Sequence, residues 1–232
     1  MKIVLLTKHY KADSTDWAYK VGAFLEERGH EVKLKYHKIE AAQELVGTDL
    51  AVSYFYPHIL PPEVFNTPRY KTLNCHPGLL PHGRGAMPNV WSIVDRTPPG
   101  ATIHWMDSGI DTGPILKQVK VEPLQTDTGE TLYLRLEQTC YQLFLDFWPD
   151  FEAKLLAGTV PFGEQQSDLD SAPQRTSEVG RIDNLDRQFG PTARQIIDIL
   201  RARTFSGHEA AYVYDPTTGR KIYARVSLEE KK

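Results

Sequence analysis

The opening 37 residues constrain the fold more than any other stretch of the chain. Residues 2–7 (KIVLLT) form a continuous run of leucine and β-branched residues that stops at the polar segment KHYKADSTD. A short run without alternation reads as a strand buried on both faces of a parallel sheet. Residues 17–28 (WAYKVGAFLEER) then place Trp17, Val21, Phe24 and Leu25 at helical spacing, and Gly29 closes that helix. EVKLKYH, from Glu31, alternates apolar and polar residues as a second strand. Strand, helix and strand in so short a length make a βαβ unit. This predicts an α/β fold with a doubly wound, mostly parallel sheet and ligands at the carboxyl ends of the strands.

The same logic extends along the chain. Residues 50–54 (LAVSY) and 71–76 (KTLNCH) read as further strands, separated by FYPHILPPEVF, whose three prolines predict a loop and a short helix. A short helix is expected near 86–94, a strand at 101–107 and another at 113–122 that begins an antiparallel extension. A long amphipathic helix follows over roughly 129–158, with a kink expected at Pro149. Residues 163–184 are polar without apolar period and read as an extended loop. PTARQIIDILRART predicts a helix with Thr192 near its start and Ile196, Ile197 and Leu200 on one face. EAAYVYDPTTGRKIYARVSL predicts a β-hairpin turning at Asp215 to Gly219. The expected division is a catalytic domain over 1–158 and an appendage of loop, helix and hairpin over 159–232.

Bulk properties narrow the function classes. The formal net charge of −3 supplies no basic excess for nucleic acid. Cys75 and Cys140 have neither CxxC spacing nor histidines in metal-ligand register, so no metal is expected. The apolar run IVLL is too short for a secretory signal, and no stretch approaches the roughly 18 apolar residues of a membrane span. The expected setting is cytoplasmic, with no membrane partner.

The residues that carry chemistry cluster at two strand ends. Asn74 and His76 are two apart, so their side chains share one face of a strand, and Pro77-Gly78 then turns the chain. Such a pair serves equally to satisfy loop backbone. The second segment, GATIHWMDSGIDTGPI, delivers Asp107 and Asp111 past another strand, with Gly109 and Gly113 allowing close backbone approach. A carboxylate beside His76 would orient the ring and favour its protonated form, and Asn74 would offer amide hydrogens to a developing oxyanion. With no nucleophilic Ser or Cys in the set, the chemistry expected is direct attack of an external amine on a carbonyl carbon.

The run NCHPGLLPHGRGAMPNVWSI followed by GATIHWMDSGIDTGPILKQ closely resembles the folate-dependent formyltransferases, with Asn-x-His-Pro, Leu-Leu-Pro and Asp-x-Gly-Pro in that family's order and spacing over about residues 1–150. The resemblance implies N10-formyltetrahydrofolate as donor and Asn74, His76 and Asp111 as the catalytic trio. It also implies a pterin held by Pro57, His58, Ile59 and Leu60 and by the loop from Asp107 through Gly109 to Asp111. Methionyl-tRNA formyltransferases carry a C-terminal barrel for which the residues after 150 are too few. Glycinamide ribonucleotide formyltransferases have a glycine-rich first loop where this chain has KHYKADSTD. SYFYPHIL, GRGAMPNVWSI and RARTF before a hairpin look most like the sugar N-formyltransferases, implying a nucleotide-diphosphate-linked amino-deoxysugar, such as a dTDP-linked one destined for surface polysaccharide, and a homodimer.

Other residues carry two readings each. Lys8, His9, Tyr10 and Lys11 suit a pyrophosphate at a helix N-terminus, or simply form a solvated loop. Arg84 suits phosphate, or orders its own glycine-flanked loop. Tyr54, Tyr56 and Trp91 suit pocket lining or core, and His104 reads as a hydrogen-bonded structural histidine. Two rival functions stand beside transfer: a formyl-folate hydrolase on the same scaffold, and a non-catalytic nucleotide-sugar binder.

Overall fold

The computed structural model describes residues 1–8, 16–167, 172–188 and 190–230. Its main sheet has six strands: β1 (Lys2–Thr7), β2 (Glu31–Lys35), β3 (Leu50–Tyr54), β4 (Thr72–His76), β5 (Gly100–Trp105) and β6 (Ile115–Lys120), in the order β2-β1-β3-β4-β5-β6. The first four are parallel; β5 runs antiparallel to β4, and β6 antiparallel to β5. The doubly wound, mostly parallel sheet expected from the opening unit is therefore the fold observed.

The helices are α1 (Trp17–Glu27), α2 (Pro62–Phe65), α3 (Pro88–Val94), α4 (Gly129–Leu156), α5 (Gly180–Asp183) and α6 (Ala193–Ala202). Asp16 caps α1 by accepting from Ala18 N at 2.8 Å and Tyr19 N at 3.2 Å. Thr128 and Thr131 exchange reciprocal side-chain bonds at the start of α4, which runs on through Pro149. Among the described residues no helix is long and apolar enough to cross a membrane.

The two faces of the sheet are covered unequally. One face carries Leu5, Val52, Leu73, Cys75 and Ile103 against α1 and α4, whose Val21, Leu25, Phe144 and Trp148 are fully buried. Each such side chain contributes about 1.5–3 kcal/mol by leaving water. The opposite face carries Val4, Leu6 and Ala51, covered by Ile39, Leu45, Leu60, Val64 and Phe65 from short helices and loops, with Tyr56 and Met106 packed against them. Farther along that second face, past this thin cover, the residues turn polar: Ser53, Asn74, His76, Thr102 and His104. Strand register places Asn74 beside Ser53 and His104, and His76 beside Thr102.

One expectation for the second half needs correction. Residues 163–184 are not a featureless loop. Glu164 pairs with Ile115, Gln174 pairs with Gly85, and 176–179 form a 3-10 turn leading into α5, capped by Glu178 reaching Arg175 N at 3.0 Å. The helix expected from PTARQIIDILRART forms as α6, and the face carrying Ile196, Ile197 and Leu200 is not the one it buries. It buries Asp198, Ile199, Arg201 and Ala202, and Ile197 stays 39% exposed. The physical reason is a polar lock: Asp198 pairs with Arg201 at 3.0 Å and Arg96 at 2.8 Å, and Arg201 donates to Asp127 O at 2.8 Å and Leu124 O at 3.0 Å. A face held by buried, fully bonded charges leaves no apolar period to read. The hairpin forms as expected from β7 (Ala211–Tyr214) and β8 (Lys221–Ala224).

Candidate active site

The polar strip on the thinly covered face is completed by the β5–β6 hairpin loop, which folds back over it. Asp111, at φ +53°, turns its carboxylate toward β4. Its Oδ2 accepts from Gly85 N at 2.9 Å and lies 3.6 Å from His76 Nδ1. Its Oδ1 accepts from Asn74 Nδ2 at 3.2 Å and lies 3.6 Å from His104 Nε2. Burial opposes ionisation of Asp111, but His76, His104 and the Gly85 N–H outweigh it and hold the carboxyl well below the usual carboxylate range. The three residues expected to form a catalytic trio are thus brought together.

Hydrogen bonding assigns the nitrogens. His76 Nε2 lies 2.9 Å from Gly83 O, an acceptor, so Nε2 carries hydrogen and Nδ1 faces Asp111. His104 Nδ1 lies 2.9 Å from Trp105 O, so its Nε2 is the free lone pair and accepts from Asn74 Nδ2 at 3.0 Å. Both amide hydrogens of Asn74 are therefore engaged, one by His104 and one by Asp111. His104 is a hydrogen-bonded histidine, as its position inside a strand suggested. It nevertheless belongs to the site, because it fixes which way the Asn74 amide faces.

Two cavities meet at this cluster. One, of about 490 Å³, is lined by Pro57, His58, Ile59, Leu60, Phe65, Met106, Asp107 and Gly109, with Gln174 and Arg175 from the distant 172–176 segment. The other, of about 600 Å³, is lined by Lys8, Phe55, Met87, Tyr133, Arg203, Phe205 and His208. Asn74, Asp111, Gly85 and Tyr56 line both. Tyr56 is held in place by accepting from Ile39 N and donating to His37 O, each at 2.8 Å.

The residues read as substrate contacts fare differently. Lys8 lines the larger cavity, where its ammonium donates to Tyr133 OH at 2.6 Å and Glu137 at 3.0 Å. Tyr54 faces the other side of the sheet and is 1% exposed in the core; its neighbour Phe55 lines the cavity instead. Arg84 is buried and lines neither cavity, its carbonyl accepting from Gln174 N at 3.0 Å. Trp91 is likewise buried outside both. His9, Tyr10 and Lys11 lie outside the described residues. Sequence reading missed Tyr133, Arg203, Phe205 and His208. Only the aromatic residue in RARTF hinted at any of them. Among the described residues, no group of three His, Cys, Asp or Glu side chains is placed to hold a metal ion.

Comparison with known proteins finds similarity along both halves of the chain. Residues 178–230 match the N-formyltransferase dimerization C-terminal domain. The dTDP-4-amino-4,6-dideoxyglucose formyltransferase of Mycobacterium bovis is 30% identical over 162 residues, covering 70% of this chain and 66% of that protein. The chain spans about half the length of the curated methionyl-tRNA formyltransferases it matches. Among solved structures, a sugar N-formyltransferase from Shewanella sp FDAARGOS_354 superposes with a TM-score of 0.82 at 26% identity, covering 100% of this chain and 99% of that one. The formyltransferase PseJ from Anoxybacillus kamchatkensis, in complex with UDP-4,6-dideoxy-4-formamido-L-AltNAc and tetrahydrofolate, superposes with a TM-score of 0.66 at 31% identity, covering 78% and 89%. Residues 10–147, more than half the chain, match the Formyl transferase family itself, and with that match the chain belongs to the formyl transferase family.

Proposed function

We propose that this protein transfers the formyl group of N10-formyltetrahydrofolate to the amine of a nucleotide-linked amino-deoxysugar. The observation that carries the reading is the meeting of two separate cavities at Asn74 and Asp111. A transferase needs two substrates to touch at one point. A hydrolase acting with water has no use for the second, 600 Å³ cavity.

The smaller cavity suits a flat heteroaromatic. Leu60, Phe65 and Met106 supply apolar walls, and the loop from Asp107 to Gly109, ordered by Asp107 accepting from Thr112 Oγ1 at 2.6 Å, supplies backbone polar groups. The donor bound there supplies an activated formyl carbon. The larger cavity suits a nucleotide sugar: Phe55, Tyr133 and Phe205 offer aromatic faces for rings, and the Lys8 ammonium stands 5.6 Å over Phe55 and 5.1 Å over Tyr133. At the junction, His76 Nδ1 takes the proton of the attacking amine, and Asp111 stabilises the cation so formed. Asn74 turns an amide hydrogen to the formyl oxygen as charge builds, giving up its longer bond, the 3.2 Å one to Asp111. His76 then returns the proton to the departing folate nitrogen.

We divide the chain into a catalytic domain over 1–158 and an appendage over 159–232, and place a homodimer contact on the appendage. There Ile197, Tyr214, Ile222 and Tyr223 remain 39%, 45%, 50% and 42% exposed. The setting we assign is cytoplasmic, in keeping with two buried thiols that stay unpaired, Cys75 and Cys140.

Titration calorimetry with a folate analogue and with dTDP tests the arrangement. The two ligands are expected to bind independently. Phe205→Ala should weaken dTDP by about tenfold, within the roughly 1–3 kcal/mol of a base–aromatic stack, and leave the folate analogue unchanged. Mutual competition between the ligands would contradict the two-cavity reading.

A further inference from the structure

Asp111 holds its carboxylate in place from a backbone conformation that residues with a side chain rarely adopt, φ +53°. The carboxylate end is anchored by Gly85 and Asn74. The backbone end is anchored by a residue that lies between the two matched family regions, 10–147 and 178–230, and so belongs to neither. Gln166 Nε2 donates to Asp111 O at 2.9 Å and to Gly113 O at 2.8 Å. One amide nitrogen carries two hydrogens, and two carbonyls take them both, which fixes the orientation of the amide.

The register that brings Gln166 there is built into the backbone. Glu164 and Ile115 form an antiparallel bridge with both bonds at 2.7 Å, so the residue two further along sits opposite Gly113. Gly113 is itself wedged against β5, where a Cβ would lie 1.8 Å from Trp105 O. The loop is therefore clamped between β5 on one side and the Gln166 amide on the other.

We propose that Gln166 is a positioning residue for the transfer reaction: it holds the left-handed Asp111 backbone so that the carboxylate stays between His76 and Asn74. This rests on the catalytic reading of Asp111 given above. It also assigns the segment after α4 a part in catalysis in addition to any role in assembly.

Gln166→Met, which preserves length and volume but removes both donors, is the test. A displacement of about 1 Å at a reacting group costs on the order of 100-fold in rate. The variant is expected to lose about 10- to 100-fold in kcat, with the KM for the formyl donor and the melting temperature close to wild type. In an Asp111→Asn background the same change should cost nothing further, because the group it positions is gone. An unchanged kcat, or a loss that multiplies fully with Asp111→Asn, would overturn the proposal.

A second readout needs no substrate, and so separates this inference from the assigned reaction. The Gly85 amide proton, bonded to Asp111 Oδ2, should move upfield in the NMR spectrum of Gln166→Met, in the direction it moves in Asp111→Ala. A Gly85 resonance unmoved in Gln166→Met but moved in Asp111→Ala would overturn the positioning role even if the protein proved to transfer nothing.

Discussion

His76→Ala is expected to lower kcat by about 100- to 10,000-fold, the range that a positioned acid–base group supplies, while the KM for the formyl donor changes little. The ring has no other assigned function than proton transfer at the junction of the cavities: it is buried, its Nε2 is committed to Gly83 O, and only Nδ1 faces Asp111. Asp111→Asn should cost a similar factor. It removes the negative charge that favours the protonated ring and replaces an acceptor of two hydrogen bonds with an amide that can accept at only one oxygen. Steady-state kinetics on both variants checks this, and rates within a few-fold of wild type for both would remove the trio from the mechanism.

The depressed Asp111 carboxyl fixes the pH behaviour of these proteins. A group whose pKa falls on folding adds stability that is complete above its unfolded value, about 3.9 for aspartate. That stability is lost as pH falls through the folded value. The stability difference between wild type and Asp111→Asn should therefore stay constant from pH 7 to about 5 and shrink only below about 4. Urea titrations at several pH values measure it.

Gly78→Ala is the second change with a large expected effect, and it separates activity from folding. A Cβ at this position would lie 2.6 Å from His76 Nε2 and 2.8 Å from its Cδ2. The clash falls mainly on the imidazole, with Gly83 O next at 3.0 Å, so relieving it displaces the ring and breaks its bond to Gly83 O. The expected result is a kcat lowered by about 100-fold, as for a reacting group displaced by about 1 Å. The denaturation midpoint should stay close to wild type. A fully active Gly78→Ala would mean that His76 is not needed where the structure holds it.

What the sequence made legible was whatever local periodicity encodes. The opening βαβ unit follows from one unbroken apolar run, one helical stripe and one glycine stop. Asn74 and His76 share a face because strand side chains alternate, and that alternation is local. Tyr54 shows where this reasoning stops. Its neighbour Ser53 pairs with Asn74 and shares its face, whereas Tyr54 pairs with Cys75 and faces the core. The parity of one strand against the next is a property of register, which no single strand records. His104 enters the site for the same reason, through its pairing with Asn74 across the β4–β5 ladder.

Gln166 returns to Asp111 from 55 residues away through a backbone bridge, and Phe205 and His208 reach the larger cavity from beyond α6. Nothing periodic marks them. The buried face of α6 carries no apolar period because charge holds it: Asp198 and Arg201 occupy positions where a hydrophobic pattern would have pointed inward.

In the proposed reaction one formyl group passes from the smaller cavity to the larger. The direct measurement supplies N10-formyltetrahydrofolate carrying a ¹³C-labelled formyl group, with and without dTDP-linked amino-deoxysugars, and follows the label by NMR and mass spectrometry. Label is expected to appear as an amide on one of the sugars, in step with tetrahydrofolate release, with release slow in the absence of an acceptor. Label recovered as formate at the same rate whether or not a sugar is present would contradict it.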